Sequence, residues 1–153
     1  MAIKCEMKEI GVQKTASIRT RTSVSNLPET IRQAYQSIGI LMSENGVECV
    51  GAPFAIYYNM DIQDLDVELG FPVSSRISEK GRIKNSFIPQ GKVISFTHVG
   101  PYNELESAYN EAFEWIKQNN VETNGVVCEL YHNDPAVLPP AELITEICMY
   151  LKN

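Results

Sequence analysis

Gly125-Val-Val-Cys-Glu-Leu-Tyr-His-Asn133 is the stretch that decides the fold. It has a counterpart 74 residues earlier, Gly51-Ala-Pro-Phe-Ala-Ile-Tyr-Tyr-Asn59, in which a glycine, a tyrosine and the final asparagine coincide. A second β-like run follows each. Asp64-Leu-Asp-Val-Glu-Leu-Gly-Phe-Pro-Val73 matches Glu142-Leu-Ile-Thr-Glu-Ile-Cys-Met-Tyr-Leu151 at an offset of 78, with Leu65 over Leu143 and Glu68 over Glu146. Upstream of each glycine lies a stretch of helical periodicity. Ile31, Ala34, Tyr35, Ile38, Leu41 and Met42 form one stripe between Pro28 and Asn45. Leu105, Ala108, Tyr109, Ala112, Phe113 and Ile116 repeat it between Pro101 and Asn119. Apolar residues at this spacing mark a helix with one buried face, and the prolines suit first turns. Before each helix comes one more strand, Lys14-Thr-Ala-Ser-Ile18 and Lys92-Val-Ile-Ser-Phe96, again 78 apart.

The unit is therefore β-α-β-β, and it occurs twice. The expected class is α+β: an antiparallel sheet with two long helices on one face. The boundaries expected are about 4–73 for the first repeat and 91–152 for the second, joined by a connector over 74–90. The 153 residues then make one domain of two fused halves.

Composition narrows the function. Lys and Arg number 13 against 19 Asp and Glu, a net charge of −6. A protein that covers phosphates or docks on an anionic membrane needs a basic face, so neither role is expected. No apolar run approaches the ~20 residues of a membrane span. The first ten residues alternate charge and lack the apolar core of a signal peptide. We expect a cytoplasmic protein. Cys5, Cys49, Cys128 and Cys148 show no zinc spacing and are read as reduced, mostly buried thiols; neither metal nor cofactor is expected. Of the two histidines, His98 is read as a packing or capping residue and His132 as part of a turn.

Strand alternation sorts the faces. Leu143, Thr145, Ile147, Met149 and Leu151 should pack on the helix, as should Leu65, Val67, Leu69 and Phe71. The opposite face is expected to carry Tyr57, Glu68, Glu129, Tyr131, Glu146 and Tyr150. Such a face is either an ordinary solvated surface or a pocket in which rings and carboxylates attract an organic cation. A carboxylate drawn out of water could also serve as acid or base. Glu68 and Glu146 are equivalent under the repeat, which suggests a shared structural task. Glu129 has Ala55 as its counterpart, so a special role falls to it first.

Taken together, the segments Thr97-His-Val-Gly-Pro-Tyr102, Ala108-Tyr-Asn-Glu-Ala-Phe-Glu-Trp115, Glu129-Leu-Tyr-His-Asn-Asp-Pro135 and Thr145-Glu-Ile147 resemble the GyrI-like effector-binding family, over essentially the whole chain. The same domain is the drug-binding part of AraC-type and MerR-type regulators. The resemblance implies two β-α-β-β units about a pseudo-two-fold axis, with a ligand cleft on the concave face between them. It implies binding of lipophilic, often cationic aromatic compounds. The glutamate and tyrosine roles carry onto Glu129 and Tyr131, with Tyr57, Trp115 and Phe113 as further lining and Glu146, Glu68 and Tyr150 nearby. Trp115 is read as lying off the core stripe, bordering the cleft. Family regulators carry a DNA-binding region ahead of this domain. Here a strand follows Met1 almost at once, so the expectation is a free-standing module that does not bind DNA directly. Two alternatives stand beside it. One is a hydrolase of cyclopropane-containing genotoxic compounds, using Glu129 and Tyr131. The other is a gyrase-inhibitor-like protein-interaction module. Sheet edges also allow a homodimer.

Overall fold

The computed structural model describes residues 4–152. Its elements are β1 (Lys4–Ile10), β2 (Gln13–Thr22), α1 (Leu27–Asn45), β3 (Phe54–Tyr57), β4 (Leu65–Pro72), β5 (Lys84–Ile88), β6 (Gly91–Val99), α2 (Leu105–Gln118), β7 (Thr123–Tyr131) and β8 (Ile144–Leu151). Short 3-10 turns at Tyr102–Glu104 and Pro140–Glu142 lead into α2 and β8. The class is α+β, and the pairings within each unit are antiparallel.

The chain divides into two compact units. The first, Gly11–Gln90, orders its strands β3-β4-β2-β5. α1 packs against β2 and β4, burying Ala34, Ile38, Leu41 and Met42. The helix stops where Gly46 takes a left-handed φ of 65°, and the amides of Gly46 and Val47 close on Ser43 O and Met42 O. That conformation costs a side chain but not a glycine.

The second unit joins Gly91 onward to β1 and orders its strands β7-β8-β6-β1. Its core is Ile94, Phe96, Ala108, Ala112, Val127, Ile147 and Met149, with Leu105, Tyr109, Trp115 and Ile116 packed against it. The duplication lies in β2-α1-β3-β4 and β6-α2-β7-β8, as the repeat suggested. The ends of the repeats differ from the expected boundaries. Lys4–Ile10 does not open the first repeat; it pairs with Gly91–Thr97 and completes the second unit's sheet. The expected connector carries a strand, β5, that pairs with β2 in the corresponding place. Each unit thus covers the outer edge of its first strand with one extra strand. Ser74–Gln90 looked like a linker because its polar residues mark an exposed edge as readily as a loop.

The thiols differ from expectation in part. Cys128 and Cys148 are buried, whereas Cys5 and Cys49 are exposed. Burial pushes the Cys148 thiol up to about 12, so it stays protonated and unreactive. Among the described residues no helix is long and apolar enough to cross a membrane.

Candidate functional site

Register settles which side chains share a face. Glu129 lies opposite Ile147 and Tyr131 opposite Thr145, and Ile147 belongs to the core beneath α2. Glu129 and Tyr131 therefore sit on the helix side of the sheet. Glu146, Cys148 and Tyr150 take the other side. In the first unit Tyr57 faces Val67 on the helix side, whereas Glu68 is in register with Ile56 on the other. The expectation that all these residues share one face is corrected: the strands after the helices, β3 and β7, are phased the other way. Both alternations of β7 are apolar enough to bury, Val127 on one side and Cys128 on the other. What admits a carboxylate under the helix is a pair of hydroxyl partners.

Those partners are tyrosines. Tyr109, on the core-facing stripe of α2, donates its hydroxyl to Glu129 Oε2 at 2.5 Å. Tyr131, two residues along the strand, donates to Oε1 at 2.6 Å. Glu129 is 5% exposed. Burial raises its pKa above the ordinary carboxylate value, against the pull of the two phenol hydrogen bonds. Among the described residues no Lys, Arg or His forms an ion pair with it. Each tyrosine touches a further ring. Tyr102, 38% exposed, stands edge-on to Tyr131 with centroids 5.8 Å apart. Phe113, 41% exposed, tilts against Tyr109 at 6.0 Å. The result is a buried carboxylate held by neutral donors, with a partly exposed ring against each of the two tyrosines. Trp115 does not lie off the core stripe: it stands edge-on to Phe96 at 5.9 Å and packs on the core. Leu41 holds the same place in α1.

The other face of the second unit carries a different carboxylate. Glu146 accepts from Ser95 at 2.5 Å, lies 2.8 Å from His132 Nε2 and pairs with the ammonium of Lys8. Burial would raise its pKa, but these partners prevail and hold it at about 2. Glu68 repeats the pattern, accepting from Ser17 at 2.5 Å and Tyr58 at 2.7 Å. Ser17 and Ser95 are 78 apart, Tyr58 and His132 are 74 apart, so both glutamates do the same work of tying neighbouring strands. Arg19 lies 3.9 Å over the Tyr58 ring and forks onto Asp66, which closes the polar network of the first unit.

Sequence reasoning missed Tyr109, Tyr102, Lys8 and His132. Tyr109 was visible as a stripe residue but was read as core. Its equivalent Tyr35 donates to the Phe54 carbonyl at 2.8 Å, so the same helix position serves a backbone oxygen in one unit and a carboxylate in the other. His98 turns its Nε2 to the Pro101 carbonyl at 3.2 Å, a local contact rather than a catalytic one.

The fold, a duplicated β-α-β-β unit, is that of a small-molecule-binding domain class. The family model for the GyrI-like small molecule binding domain matches residues 3–152, and the chain belongs to that family. It is similar to the crystallised C-terminal domain of EcmrR, with 23% identity and a TM-score of 0.86 over 100% of this chain and 99% of that one. SAV2435 bound to tetraphenylphosphonium is similar at 12% identity and a TM-score of 0.70, covering 98% and 94%. So is a hydrolase from Listeria innocua encoded by lin2189, at 14% identity and 0.66, covering 97% and 92%. At these identities the likeness is one of fold. No curated protein matches the chain in sequence.

Proposed function

We propose that this protein is a binding module for small lipophilic aromatic cations, with Glu129 as the counter-ion. One observation carries the reading. Glu129 is buried among rings and held only by neutral hydroxyls, so its charge is uncompensated within the second unit. A buried carboxylate without a cation is costly, and a ligand that brings one recovers that cost. Flat apolar surface adds about 25 cal/mol per Å² buried, before the costs of association. Tyr102 and Phe113 present ring surface for stacking and cation–π contact. SAV2435, of the same fold, is described with such a cation, tetraphenylphosphonium.

The test is a fluorescence titration with rhodamine 6G, on wild type and Glu129→Gln. The substitution keeps shape and removes charge. Saturable micromolar binding that weakens tenfold or more in the variant, about 1.4 kcal/mol, is expected. Equal binding by both proteins would remove Glu129 from the role. No binding by either would overturn the reading. Because burial raises the Glu129 pKa, affinity for a permanent cation should climb as pH rises above the ordinary carboxylate range. In Glu129→Gln that climb should vanish.

A further inference from the structure

The two units permit a comparison position by position. On the helix side of the first unit, Ala55, Leu69 and Ile18 stand in one row across the sheet, and Tyr57, Val67 and Thr20 in the next. The same rows in the second unit read Glu129, Ile147, Phe96 and then Tyr131, Thr145, His98. At the centre of the second row, on the strand flanked on both sides, an apolar residue has become polar. Thr145 stands where the first unit has Val67, and both are fully buried. Threonine and valine have nearly the same shape, so packing cannot distinguish them. The hydroxyl can, and Thr145 Oγ1 has no hydrogen-bond partner. An unpaired buried hydroxyl costs free energy that valine would avoid. This unit therefore bears the cost at a position beside Tyr131 and one row from Glu129, on the same face of the sheet. Directly opposed side chains lie about 5 Å apart and diagonal ones about 7 Å, within reach of one aromatic ligand. Thr15, the other unpartnered buried hydroxyl among the described residues, lies in the first unit on the face away from α1.

The surplus of acceptors indicates what the ligand must supply. A carboxylate offers about four lone-pair positions, and Tyr109 and Tyr131 use two of them. Thr145 adds two acceptor positions and one donor. Acceptors exceed donors, so the matching ligand is a cation that carries N–H.

We propose that Thr145 is a specificity-determining residue of the Glu129 site. It accepts a hydrogen bond from the N–H of the bound cation, so that the site prefers aromatic cations bearing N–H over those whose nitrogens are fully alkylated. This rests on the cation-binding reading above and adds a ligand class to it.

Two dyes test it. Rhodamine 6G and tetramethylrhodamine methyl ester share a xanthene core and a single positive charge; the first carries two N–H groups and the second none. Wild type should bind rhodamine 6G at least tenfold more tightly. Thr145→Val should bring the two dyes within twofold by weakening rhodamine 6G alone, while Thr145→Ser should keep the preference. A thermal midpoint for Thr145→Val at or above that of wild type shows that the fold is intact, as Val67 suggests. Glu129→Gln should weaken both dyes. A preference that survives Thr145→Val would come from dye shape and overturns the proposal. Equal binding of both dyes by wild type, with both weakened in Glu129→Gln, overturns the role of Thr145 and leaves the cation site standing. Binding of neither dye overturns both.

Discussion

Glu129 and Glu146 lie on adjacent strands of one small sheet, and their surroundings drive them in opposite directions. Glu146 is ordinary at 4.5 in the unfolded chain and held at about 2 in the fold. Between those values the unfolded chain binds the extra proton. The stability Glu146 contributes is thus complete above pH 4.5 and is lost as pH falls toward about 2. Glu129 has its folded pKa above 4.5, so there the folded chain binds the extra proton. Its contribution is most favourable below 4.5 and declines as pH rises through the folded value. Thermal melts across this range should separate the two. Glu146→Gln should melt below wild type at neutral pH, with the difference closing toward about pH 2. Glu129→Gln should gain on wild type as pH rises from 4.5. A Glu129→Gln curve parallel to wild type at every pH would mean that the carboxylate is not held out of water. Under the proposed function, the same opposition assigns the ligand to Glu129 and not to Glu146. Lys8 already meets the charge of Glu146.

At the scale of the element, the helices and the two strands on which each unit is centred were legible because their periodicity is unambiguous. Tyr35 and Tyr109 fall at matching turns of matching stripes, and Leu65–Phe71 and Leu143–Leu151 alternate cleanly. The phase of β7 was not legible. Its two faces are equally apolar, and the deciding contact, Tyr109 with Glu129, joins residues 20 apart through the packing of α2. The singling out of Glu129 does not depend on that phase, because it rests on the comparison with Ala55 and not on the face. The repeat has limits of its own. Cys148 lies opposite Ser95, yet the equivalent place opposite Ser17 holds Gly70. A Cβ there would stand 2.3 Å from the Ala16 carbonyl oxygen and 2.7 Å from Ser17 Cβ. Backbone cannot yield cheaply to such a contact, so Gly70→Ala should destabilise by about 3 kcal/mol, the upper end for an overpacked site. It should also displace Ser17 from Glu68. Denaturant unfolding measures the first effect, and a variant as stable as wild type would show that β2 and β4 can separate at no cost.

At the scale of the whole chain, β1 ties Lys4–Ile10 into the second unit, about eighty residues further along the sequence. Lys4–Ile10 is distant in sequence from its partner strand, Gly91–Val99, and nothing local in its alternating charges announces that pairing. Yet Lys8 from this strand compensates Glu146 of β8, and the strand's backbone covers the open edge of β6. The ion pair is part-buried, so losing Lys8 leaves a carboxylate without its ammonium partner, still in contact with Ser95 and His132. Removing residues 1–10 should therefore loosen the second unit selectively. Hydrogen exchange should speed first in β6, whose amides facing β1 lose their acceptors, and then in β8 through Glu146. Amides of β2 and β4 pair within Gly11–Gln90 and should keep their protection. Dye affinity at Glu129 should fall with the loosening, because Tyr109 and Tyr131 can preorganise the carboxylate only while α2 lies on an ordered sheet. Lys8→Met separates the two contributions. It keeps the strand and removes the charge, so it should reproduce the exchange at β8 and spare that at β6. Uniform loss of protection across both units on truncation would instead show that the chain unfolds as one cooperative body, with β1 merely its weakest edge.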